Sequence, residues 1–129
     1  MNSTFATDYL VIPLNLSSKE ILNIAETAYY TGKKVVLNSM PPQKVRRKLL
    51  KYISLAILDE EQMSELMEVD IKDIEDAKIA ALKLYGRGAE TVMIKMKIGK
   101  TLVFDNEVFS IVQEFDMTPN LSLTDVLLR

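Results

Sequence analysis

The chain contains neither cysteine nor histidine. Without cysteine there is no disulfide framework and no thiol nucleophile. With histidine also missing, the Cys/His and Ser/His/Asp catalytic systems and the usual zinc ligand sets are excluded. Apolar runs do not exceed strand length, and the N-terminus Met1-Asn-Ser-Thr-Phe-Ala-Thr-Asp8 has no basic segment followed by an apolar one. Neither a membrane span nor a signal peptide is expected, and a cytoplasmic location fits the missing cysteine. No sign of charge dominates: 16 Lys plus Arg are interspersed with 18 Asp plus Glu, for a net charge of −2. A continuous basic stripe for nucleic acid is lacking, and the densest basic stretch (Lys44, Arg46, Arg47, Lys48 and Lys51) reads as a solvated helix face. No Gly-x-Gly-x-x-Gly or Gly-x4-Gly-Lys-Ser/Thr loop occurs, so nothing supports a dinucleotide or P-loop site.

What is present is an ordered alternation. At 129 residues the chain is read as one domain. Tyr9-Leu-Val-Ile-Pro-Leu14 reads as a strand, and a helix follows over about 18–30, stopped by Gly32. Ser17-Ser-Lys-Glu20 forms its capping box, and Ile21, Ile24, Ala25 and Ala28 recur at helical spacing. Next come a strand over 34–38, a helix over about 42–52 and the short apolar strand Leu55-Ala-Ile-Leu58. A helix beginning near Glu60 precedes a stronger one over about 74–85. The latter has Ile74, Ala77, Ala81, Leu84 and Tyr85 on one side, Asp73, Glu75 and Asp76 at its positive end, and Gly86 and Gly88 after it. Strands over 91–96, 100–104 and 108–112 follow closely, separated by Gly99 and by Asp105-Asn106, as hairpins are. The order predicts an α/β fold: a mostly parallel sheet made by right-handed crossovers, with antiparallel hairpin strands on its C-terminal side. A generic doubly wound binding domain, with its ligand at the C-terminal strand ends, would satisfy this pattern.

From about Asp8 to Asp116 the local wording resembles the C-terminal, nucleotide-binding half of the ribokinase family, also called the phosphofructokinase-B carbohydrate kinases. Lys34-Val-Val-Leu-Asn-Ser-Met-Pro41 is similar to that family's strand ending in Asn-Pro-Ala-Pro, and Ser54-Leu-Ala-Ile-Leu-Asp-Glu-Glu-Gln62 falls where the family reads aspartate, an apolar strand and Pro-Asn-x-x-Glu. Ile74-Glu-Asp-Ala-Lys-Ile-Ala-Ala-Leu-Lys-Leu84 matches the helix that feeds the next strand. Thr91-Val-Met-Ile-Lys-Met-Lys97 takes the place of the strand ending in Thr-Leu-Gly, and Phe115-Asp-Met-Thr118 resembles the start of the Asp-Thr-Thr-Gly-Ala-Gly-Asp signature. The resemblance implies a ribokinase-like three-layer α/β/α sandwich, of which residues 1–129 are the ATP-binding half, with the sugar-binding half and lid absent.

The departures lie where that family does its chemistry. There, signature glycines expose backbone amides to the charge that develops in phosphoryl transfer, and the last aspartate activates the sugar hydroxyl. Here the segment reads Asp116-Met-Thr-Pro-Asn-Leu-Ser122: Pro119 has no amide hydrogen, glycine is missing, and Ser122 stands at the aspartate position. No catalytic residue is assigned; Asp125 could substitute only if the loop were longer. Asn-x-x-Glu is matched by Asp59-x-x-Gln62, so Asp59 is either a magnesium ligand, assisted by Glu60 or Glu61, or the cap of the following helix. Lys95 and Lys97 replace the threonine and glycine of Thr-Leu-Gly, and either attract phosphate or mark the solvated face of a strand. If ATP or ADP binds with magnesium, the resemblance places Asp59 at the metal, Lys95 and Lys97 near phosphate, and Thr118 and Asn120 near the former anion hole.

Two functions fit this sequence. One is a ribokinase-like module without independent phosphotransfer, at most weakly nucleotide-binding, whose sheet edge is covered by a second copy or another protein. The other is the ATP-binding part of a carbohydrate kinase whose remainder is supplied by another polypeptide or lost by truncation. The apolar tail Leu121-Ser-Leu-Thr-Asp-Val-Leu-Leu-Arg129 reads equally as part of such an interface or as a terminal helix on its own domain.

Overall fold

The computed structural model describes residues 8–113. Its six-stranded sheet follows sequence order: β1 (Tyr9–Val11), β2 (Lys34–Leu37), β3 (Leu55–Asp59), β4 (Thr91–Lys95), β5 (Lys100–Asp105) and β6 (Val108–Gln113). The pairs from β1 to β4 are parallel, and β4-β5-β6 form two antiparallel hairpins. The crossovers are α1 (Ser18–Tyr30), a short α2 (Arg46–Leu49) continued by a 3-10 turn over Leu50–Tyr52, and the pair α3 (Glu60–Met67) and α4 (Ile74–Tyr85).

Right-handed crossovers that step repeatedly to the next strand in one direction put their helices on one face of the sheet. Strand alternation agrees. Val35, Leu37, Ala56, Leu58, Val92, Ile94, Leu102 and Phe104 share the main core with Ile21, Ala25, Ala28, Ala77, Ala81 and Leu84 from the helices. Val36, Leu55, Ile57 and Met93, which alternate with them, form a smaller buried cluster on the opposite face. Burial on both faces explains why β3 is an unbroken apolar run up to its last residue. The α/β class and mixed sheet are as the sequence predicts, and the described helices supply one of the two outer layers of the expected sandwich. No helix among the described residues is long and apolar enough to cross a membrane.

The helix termini follow their capping chemistry. Ser17 and Glu20 complete the predicted capping box of α1, and Asp73 accepts from the Asp76 amide to start α4. Gly88 adopts φ +123°, a conformation that lets the chain turn from α4 toward β4 and that a side chain would strain. Ser54 extends the β2–β3 pairing by one step: its amide donates to the Val35 carbonyl and its buried hydroxyl accepts from the Val35 amide at 3.0 Å.

Four local expectations are corrected. β1 ends at Val11 rather than Leu14, because Pro13 cannot donate to a ladder. The helix expected over 42–52 is helical only from Arg46: its N-cap, Val45, has no side-chain acceptor, and Arg46 and Arg47 put positive charge at the positive end of the dipole. The strand expected over 91–96, with Lys95 and Lys97 alternating on a solvated face, is shorter and leaves Lys97 in the turn. β4 stops at Lys95, and the Gly99 amide donates to the Met96 carbonyl to close the hairpin turn. Tyr85 is exposed rather than core, its ring edge-on to Phe104 at 5.0 Å, and Ala80 is buried in its stead.

Candidate functional site

In an open parallel sheet, ligands bind beyond the carboxyl ends of the strands. Here that rim is built where β3 runs into α3 and β4 turns into β5. Asp59 and Lys95 are register partners at the ends of β3 and β4. Lys97 lies two residues further on, in the β4–β5 turn. Asp59, Lys95 and Lys97 therefore come to one end of the sheet. Thr118 and Asn120 lie outside the described residues, as do Ser122, Asp125 and the tail.

The hydrogen bonds show how these groups are used. Asp59 Oδ1 accepts from the Gln62 amide at 2.8 Å, and the Gln62 side-chain oxygen accepts from the Asp59 amide at 3.0 Å, a reciprocal capping box that starts α3. The helix-cap alternative for Asp59 thus describes its geometry. One carboxylate oxygen remains beyond the cap, and a magnesium ion that keeps most of its water could take one such oxygen. Among the described residues, however, no group of three or more acidic side chains converges to hold a metal.

Lys97 is held by two glutamates of the first turn of α3. Its backbone amide donates to Glu60 Oε2 at 2.7 Å, and its ammonium lies 3.4 Å from Glu61 Oε1. Both the amide and the ammonium of Lys97 therefore already meet carboxylates, whereas the exposed Lys95 ammonium has no ion pair among the described residues. Beside them a depression of about 330 Å³ is lined by Glu60, Glu61, Glu65 and Asp70 together with Lys97. Four carboxylates against one ammonium make a negative surface that disfavours phosphate. Neither Asp59 nor Lys95 lines this depression. Glu65 is also engaged, with Arg46 at 2.9 Å, and Arg46 donates through Nε to the Pro41 carbonyl at 2.8 Å.

The pairing of Lys97 with Glu60 and Glu61 escaped the sequence reading. The partners are 37 residues apart, on elements whose proximity only the sheet order establishes. A perturbed phenol lies away from this rim. Burial, and then the Glu26 carboxylate that accepts its hydroxyl at 3.0 Å, hold the Tyr52 phenol above its ordinary value of 10.0.

No family model matches the chain. Over 90 residues, 70% of the chain, it is 32% identical to a ribokinase of Haemophilus influenzae, of which this region is 29%. The chain thus spans less than a third of the curated relative it matches. Among solved structures, the Arabidopsis thaliana ribokinase complexed with ribose and ATP superimposes with a TM-score of 0.71 over 88% of this chain and 36% of that one, at 16% identity. The Escherichia coli phosphofructokinase-2 in complex with fructose-6-phosphate gives 0.70 over 95% and 43%, at 17% identity. An ADP complex of Bacillus subtilis pyridoxal kinase gives 0.67 over 87% and 48%, at 25% identity.

Proposed function

We propose that this chain, which carries part of a ribokinase-like carbohydrate-kinase fold, acts as an association module without phosphotransfer activity of its own and with at most weak nucleotide binding. The observation that carries this reading is the occupied rim: the Lys97 amide and ammonium both meet carboxylates of α3, and Asp59 caps the same helix. A transferring phosphoryl group needs unengaged, pre-oriented donors. The sequence beyond β6 supports the same reading, because Pro119 has no N–H to offer and Ser122 is a poor general base where the family has aspartate. The partner is a second copy or another polypeptide.

Calorimetric titration with ATP and ADP, with and without magnesium, tests this. The expected outcome is no magnesium-dependent heat below millimolar nucleotide; saturable, magnesium-dependent binding in the micromolar range would overturn it.

A second reading is favoured by the 32% identity to a ribokinase and by the fold shared with a ribokinase that binds ribose and ATP. In it the chain is the ATP-binding part of a sugar kinase completed by another polypeptide. Asp59 would then sit near magnesium, Lys95 and Lys97 near phosphate, and Thr118 and Asn120 at the anion hole. It requires Glu60 and Glu61 to release Lys97 when nucleotide arrives, so micromolar Mg-ATP binding in the same titration would select it.

A further inference from the structure

We infer that the association surface is the β6 edge of the sheet and that its occupant is a second copy of this chain, paired antiparallel through β6 across a two-fold axis. This rests on the association reading above and supplies its partner.

Among the described residues the sheet has β1 and β6 as its edges, and the two differ. β1 is three residues long and is followed by Pro13, which has no donor to offer a further strand. β6 is six residues long, in unbroken register with β5, and has no charged side chain, proline or bulge. Natural edge strands are protected by shortness, charge, proline or bulges, and β6 has none of these devices.

Apolar surface collects at the same place. Ile111 (50% exposed) lies on the α4 side of β6, opposite Leu102 of the main core, whereas Val108 (61%) and Val112 (42%) alternate with it and are exposed on the other face of the sheet. Leu82 (47%) and Tyr85 (37%) are exposed on α4. The side of α4 that carries them overhangs β6. Lys78, one turn from Leu82, places its ammonium 5.6 Å from the Phe109 ring centre, and Tyr85 packs on Phe104, which meets Phe109 at 4.6 Å. Ile111, Leu82 and Tyr85 thus flank the β6 edge together on its helix side. Scattered exposed apolar side chains need no explanation, but a gathered patch marks an interaction surface.

The neutrality of the strand suits a second copy as its occupant. Across a two-fold axis residue i opposes j and residue j opposes i, so a charged edge strand risks setting like charges against each other. Val108-Phe-Ser-Ile-Val-Gln113 carries no charge and can face its own copy without that cost. Such pairing continues the sheet through both copies and brings the Leu82 and Tyr85 side of one α4 toward that of its partner. The backbone edge and the apolar patch are then covered together.

Because the chain has no cysteine, one introduced thiol reports the geometry without interference. Sedimentation velocity of the wild type across the micromolar range is expected to show a dimer. Ser110→Cys is expected to give a covalent dimer on oxidation, while Lys33→Cys, close to the β1 edge, is expected to stay monomeric on a denaturing gel. Ile111→Lys is expected to abolish the dimer with an unchanged circular-dichroism spectrum; if that variant does not fold, the Ser110→Cys cross-link decides alone. A monomeric wild type overturns the inference. A dimer that cross-links at Lys33→Cys and not at Ser110→Cys overturns the β6 placement and leaves the association reading intact, while the nucleotide titration judges the loss of kinase function separately.

Discussion

Leu58 and Asp59 are neighbours in β3, yet Leu58 is completely buried under the helices and Asp59 is exposed at the strand end, where it caps α3. The same contrast separates the body of the sheet from its rim. In the body, residues alternate strictly between the main core and the smaller cluster opposite. At the rim, polar groups are joined to one another by capping bonds and by the contacts of Lys97 with Glu60 and Glu61. A fold is stabilised by burial that many sequences can supply, whereas a phosphate site needs particular donors left unengaged. Similarity in the body of the sheet therefore coexists with a rim where Asp59 and Lys97 already have partners.

Substitutions across this boundary should separate its two sides. Leu58→Ala removes a large, fully buried side chain from the main core and is expected to cost about 2–5 kcal/mol in urea denaturation. Asp59→Ala, one residue away, removes a helix cap and is expected to cost only ~1 kcal/mol, with Asp59→Asn nearly neutral. A larger effect of Asp59→Ala that is recovered on adding magnesium would show that the carboxylate does more than cap. The hairpin beyond the rim offers a gain instead. Asn106 and Glu107 both have positive φ in the two-residue loop between β5 and β6, and Glu107 lacks the freedom that glycine has there. Glu107→Gly is expected to stabilise the protein by about 0.5–1 kcal/mol in the same assay.

The smallest effect at neutral pH belongs to Tyr52. Its phenol titrates above 10.0 in the fold, so it is protonated at pH 7 whether the chain is folded or not. Its contribution is intact below the unfolded value of about 10 and is lost as pH rises from there through the folded value. Thermal melts from pH 8 upward should show this loss in the wild type and a shallower one in Tyr52→Phe.

Much of the fold was legible because its signals are local. α1 and α4 have the predicted bounds, since Ser17, Glu20 and Asp73 are caps whose partners lie three residues away. The close strands after Glu90 were legible from their turns. The helix expected over 42–52 failed as a full element because apolar spacing says nothing of a missing N-terminal cap at Val45. At the rim, the sequence drew notice to Asp59, Lys95 and Lys97, which the fold puts at one end of the sheet, but how Lys97 is used was hidden. Its partners are far away in the chain, and a lysine aimed at phosphate and a lysine paired with glutamate are the same letter.

The most direct test of an occupied rim is a titration with Mg-ATP followed by amide resonances of the ¹⁵N-labelled protein. The amides of Gln62 and Lys97, which donate to Asp59 and Glu60, report whether those bonds survive. Unmoved resonances at 59–62 and 95–97 up to millimolar nucleotide are predicted. Saturable shifts at these positions that require magnesium would contradict the account and restore the strand ends as a working nucleotide site.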